Sequence, residues 1–169
     1  MVVAADKNDI NLNIRRVKQD KSWSCWYASA QMVLSYRNVT LPATQVATNL
    51  SSLVTYYADK GLGGAAVRKF AADVGLNADQ SYFAGLWSPA GFSVALGKVG
   101  PLWVPGLFPQ GARSVGHVVV VAGKVGDALL IADPDGSQPY PKWMDVKSLE
   151  QIWGALSLPI LYSLPGPVS

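Results

Sequence analysis

From Cys25 to Arg37 the chain is apolar on almost every side of a helix, which constrains the fold more than any other segment. Cys25, Ala28, Ser29, Met32 and Tyr36 fall on one helical stripe, and Trp26, Ala30, Val33, Leu34 and Arg37 on a second. Such a helix has no solvent face to offer, so it must lie in the middle of a domain. Ser24 or Ser22 is a fitting N-cap, which sets Cys25, the sole cysteine, in the first turn.

The remaining punctuation predicts what surrounds that helix. Residues 42–50 have a proline near their start and residues 64–74 end at Gly75, so both read as helices. A further short helix is predicted over residues 89–99. After Gly100 the character changes. Residues 102–104, 117–124, 128–132 and 156–163 read as strands, with Gly126-Asp127 as a tight turn between the middle pair. One helix, over residues 145–153, interrupts them. Residues 1–12 are polar and read as a flexible N-terminal segment, residues 13–18 as a short edge strand leading to Gln19, and residues 13–169 as one domain. A mainly helical first half and a mainly antiparallel second half make an α+β layout.

The length of 169 residues suits one core, and half of the residues are hydrophobic. No apolar run approaches the roughly 20 residues of a membrane-spanning helix, so the six Trp and seven Tyr are expected in the core and along a cleft. The net charge is +3, and the cluster Arg15, Arg16, Lys18 and Lys21 is diluted by Asp6, Asp9 and Asp20 without interleaved aromatics. That pattern is a solvated face, not a nucleic-acid site. The opening residues lack the basic and apolar stretches of a secretory signal. The expectation is synthesis in the cytoplasm without a cleavable signal, with export by a specialised secretion system left open. One cysteine forms no internal disulfide.

The chemistry gathers on three residue types. A thiol in the first turn of a helix is favoured as thiolate by the helix dipole, and a nearby imidazolium adds to that. His117, the sole histidine, heads an apolar strand, so it is the one candidate base. Asp133 closes the next strand at an Asp-Pro pair, where the Gly126-Asp127 turn brings it level with His117; Asp135 is the alternative orienting group. The backbone N–H of Cys25 and the side-chain amide of Gln19 are candidate oxyanion donors. Trp23, Trp26 and Trp103 are candidate substrate-binding residues, with core packing the equal alternative for each. A metal site is not expected, because one Cys and one His leave a structural zinc two ligands short. No cofactor is implied.

Taken together, Gln19-x5-Cys25-Trp26-Tyr27-Ala28, then Gly116-His117-Val118-Val119-Val120, then Ile131-Ala132-Asp133-Pro134 resembles the papain-like cysteine peptidases. The likeness is to the AvrRpt2-type bacterial effector peptidases and the C39-like peptidase domains. The resemblance covers roughly residues 13–163, the strand at Gly100-Pro101-Leu102-Trp103-Val104 included. It implies a papain-like fold and a cysteine peptidase with a covalent thioacyl intermediate, with Cys25, His117, Asp133 and Gln19 as the catalytic set. It further implies a bacterial effector or toxin acting on protein or peptide, with a cognate inhibitor or immunity protein as a possible partner. Peptidoglycan amidase or endopeptidase chemistry, or deamidase or transglutaminase-like acyl transfer, would use the same four residues. A non-enzymatic binding module is the third reading.

Overall fold

The apolar segment folds as α1, Cys25–Ser35, buried from Cys25 to Leu34 except at Gln31. The computed structural model describes residues 8–41 and 62–166; the helix predicted over residues 42–50 lies outside them. The other elements, in chain order, are β1 Ile10–Asn11, α2 Val67–Val74, α3 Pro89–Val99, β2 Leu102–Gln110, β3 Arg113–Val125, β4 Ala128–Ala132, β5 Lys142–Asp145 and α4 Val146–Gly154. A 3-10 turn, Gly64–Ala66, leads into α2, which stops at Gly75 with φ +84°, a conformation that suits glycine. The architecture is α+β.

β3 is the spine of the antiparallel sheet. It pairs with β1 and β2 along one edge and with β4 along the other, and β5 extends the sheet beyond β4. Val118, Val120 and Ala122 point to one face, where α1 and α2 lie with Trp26, Met32 and Phe70. Val119 and Val121 point to the other, where α3 and α4 bury Phe92, Leu96 and Leu149. A strand apolar on both sides reads as a continuous run of valines, and here it is one because helices cover both faces.

The structure differs from the sequence-based expectation at four places. The edge strand expected over residues 13–18 is replaced by Ile10–Asn11, inside the segment expected to be loose; β1 pairs at Gly123, where a Cβ would meet the Ile10 carbonyl at 2.4 Å. Residues 105–116, which lie between the strands predicted over 102–104 and 117–124, are the far ends of β2 and β3, paired down to Gln110 and Arg113 around Gly111 with φ +61°. Only isolated bridges, at Leu161 and Tyr162, remain of the strand expected over residues 156–163. β5 was not foreseen; it ends on Asp145, whose carboxylate caps α4 by accepting from the Ser148 N–H.

Candidate active site

Three elements converge at one end of the sheet. α1 brings Cys25, β3 brings His117, and the residue after β4 is Asp133. Val120 lies opposite Ala132, so Asp133 faces Val119 and shares its side of the sheet with His117, two residues on. His117 Nε2 and Asp133 Oδ1 are 2.7 Å apart. The Cys25 thiol is within hydrogen-bonding reach of the same ring. Ser24 stands at the N-cap position of α1, yet its hydroxyl does not cap the helix. It bonds Asp20 at 2.9 Å and accepts from the Lys21 N–H at 3.1 Å, fixing the turn that delivers Cys25.

Asp133 is almost fully buried, and its lone pairs are heavily used. Oδ1 also accepts the Asp135 N–H at 2.9 Å, and Oδ2 accepts from Lys142 Nζ at 3.2 Å. Burial would raise this carboxyl. The His117 hydrogen bond and charge, the Asp135 amide and the Lys142 ammonium hold it below the usual carboxylate range. Burial would likewise lower His117, but hydrogen bonds and charge from Asp133 and Cys25 overcome it and push the imidazole up to about 9. Asp135 does not reach the ring, and its carboxylate accepts from the Ser137 N–H and hydroxyl.

Gln19 sits beside this group in a polar cleft of about 330 Å3 shared with Ser22, His117, Asp133 and Lys142. Its backbone N–H donates to Pro134 O at 2.8 Å, tying the segment before Cys25 to the loop after Asp133. Its Nε2 donates to Lys21 O at 2.9 Å, and its buried Oε1 has no partner among the described residues. On the other side of His117, an apolar cleft of about 450 Å3 holds Cys25 with Trp23, Trp26, Val67, Trp103 and Leu158. Trp26 and Trp103 are 2% and 1% exposed, so each reaches the cleft wall while packing in the core. Trp103 Nε1 also donates to Trp26 O at 2.9 Å.

Sequence reading missed Phe108, whose ring stands edge-on to His117 at 5.4 Å, and Lys142. Phe108 was hidden by the prolines around it. Lys142 carried no signal, because nothing local tells a lysine that it will face a carboxylate nine residues back.

The sequence pattern of the papain-like cysteine protease AvrRpt2 family matches residues 5–149. The chain belongs to that family. It is a papain-like cysteine peptidase. A crystal structure from Bacillus anthracis described as a C39-like peptidase is similar over 91% of this chain and 96% of that one, with a TM-score of 0.62 and 16% identity. At that identity the likeness is one of fold. A search of curated proteins gave no match. Among the described residues, no helix of this peptidase is long and apolar enough to cross a membrane.

The raised imidazole makes a test of the pair that needs no substrate. His117 binds its proton more tightly folded, at about 9, than unfolded, at 6.5. Its stabilisation is therefore complete below pH 6.5 and is lost as pH rises through about 9. The side chain is 15% exposed, and the difference corresponds to something on the order of 3 kcal/mol. Urea unfolding at pH 6 and pH 9.5 should show that loss in the wild type and not in His117→Gln. Parallel curves for the two proteins would mean that the imidazole gains nothing from its neighbours.

Proposed function

We propose that this peptidase cleaves its substrate with a Cys25-His117-Asp133 triad and an oxyanion site formed by the Cys25 N–H and the Gln19 amide. The observation that carries the reading is His117 held between a buried carboxylate and the thiol. A histidine kept protonated beside a thiol favours the thiolate. The thiolate attacks the scissile carbonyl, and the carbonyl oxygen becomes an oxyanion. As the first residue of α1, Cys25 has a backbone N–H with no intrahelical partner. Gln19 Nε2 has a second hydrogen besides the one given to Lys21. Both donors are suited to that oxygen. His117 then passes its proton to the leaving amine, and water, deprotonated by the now neutral imidazole, releases the acyl group from sulfur. Asp133 orients the ring throughout.

The apolar cleft on the thiol side suits hydrophobic side chains of a peptide, with Trp23 the least buried of its three tryptophans and Trp26 and Trp103 forming its floor. A bacterial effector or toxin role, delivered by specialised export and restrained by a cognate inhibitor, rests on the AvrRpt2 resemblance. Incubation with an epoxide-type thiol inhibitor, followed by mass spectrometry, is the direct test. One adduct should form on Cys25 of the wild type and none on His117→Ala. A wild type that stays unmodified would overturn the proposal.

A further inference from the structure

Lys142 occupies a place that the triad alone leaves unexplained. It enters from β5, and its ammonium bridges Asp133 Oδ2 at 3.2 Å and Gln138 Oε1 at 3.1 Å. The side chain is 22% exposed against 3% for the Asp133 carboxylate. Gln138 is in turn fixed by Arg16, whose Nη1 donates to its backbone carbonyl at 2.6 Å. A cation is thus built in behind the acid that orients the imidazole.

The other charged groups around this acid are otherwise directed. Arg16 serves Gln138 and lies over the Tyr140 ring, whose hydroxyl donates to Ile14 O. The Lys18 stem passes Gly136, and the Asp135 carboxylate turns to Ser137. Cys25 is hydrogen-bonded to the His117 ring. Among the described residues, Lys142 is the cation in direct contact with Asp133 other than His117 itself.

A carboxylate that gave its whole charge to the imidazolium would make His117 a poor acid, reluctant to release its proton to the leaving amine. Resting on the triad reading, we propose that Lys142 is a positioning residue which shares the charge of Asp133 through its outer oxygen and so keeps the His117 proton transferable. Two opposite effects then distinguish this from simple propping. If Lys142 shares charge, its loss strengthens the hold of Asp133 on the imidazolium. If it only props the carboxylate in place, its loss weakens that hold.

Because His117 is the sole histidine, its side-chain NMR titration reads the effect without assignment ambiguity. Lys142→Met should raise the titration midpoint by roughly half to one unit. The alkaline limb of iodoacetamide alkylation at Cys25 should move up with it, and Lys142→Arg should return both to near the wild-type value. A midpoint unchanged or lowered in Lys142→Met, with the protein still folded by thermal melt, overturns the proposal. The underlying triad fails differently: the wild-type histidine would then titrate near its ordinary value, and alkylation would ignore His117→Ala.

Discussion

Cys25→Ala and His117→Ala should each lower hydrolysis by roughly 10⁴-fold or more, since members of a nucleophilic triad act as one unit. Their stabilities should differ. Cys25 is nearly buried in the core cluster, but alanine removes a single sulfur from it, an effect on the order of 1 kcal/mol. His117→Ala leaves Asp133 buried with one oxygen stripped of its imidazole. Lys142 and the Asp135 amide remain, so the cost is about 1–3 kcal/mol and not a collapse. For a domain of this size each kcal/mol moves the melting midpoint by about 2–4 °C. Asp133→Ala should keep a measurable residue of activity, because the acid orients and does not react. Hydrolysis by purified Cys25→Ala at a rate near the wild type would remove the thiol from the mechanism.

The parts of this site that follow local rules were legible before the fold. The β3–β4 hairpin turns at Gly126, with φ +57° and Val125 opposite Ala128, but the register of that turn alone would set residue 133 opposite Val120; the irregularity between Val121 and Gly123 moves it to Val119, on the side of His117. α1 and α3 begin at Cys25 and Pro89, the residues at which apolar periodicity and a proline at the first helical position put them. The unread parts depended on contacts distant in sequence. Proline donates no hydrogen bond to a ladder, so Pro105 and Pro109 mask a strand in the sequence. Trp103 shows why the strand persists. Its N–H and C=O turn outward to Leu161, and Pro105 and Pro109, two and six residues on, face the same way. The missing donors fall on the edge away from β3, and β2 continues to Gln110 with Phe108 set against His117. Likewise β5 and its lysine are fixed by pairing with β4, a partnership that four residues of sequence do not announce.

Gln19→Ala should separate two reactions that the thiol performs. If the amide serves the oxyanion as proposed, its removal should lower hydrolysis by roughly 10²–10³-fold. Alkylation by iodoacetamide forms no oxyanion, so its rate should stay near the wild type while Cys25 and His117 remain paired. The structure sharpens the expectation in one respect. Gln19 Nε2 also closes the turn onto Lys21 O, so its loss removes one anchor of the turn that delivers Cys25. The Ser24 hydroxyl bonds to Asp20 and Lys21 and the Gln19 N–H bond to Pro134 O do not involve the amide, so the turn keeps those anchors. A fall in hydrolysis with alkylation intact assigns Gln19 to the oxyanion. An equal fall in both assigns it to the turn, and wild-type hydrolysis leaves the Cys25 N–H as the donor that matters.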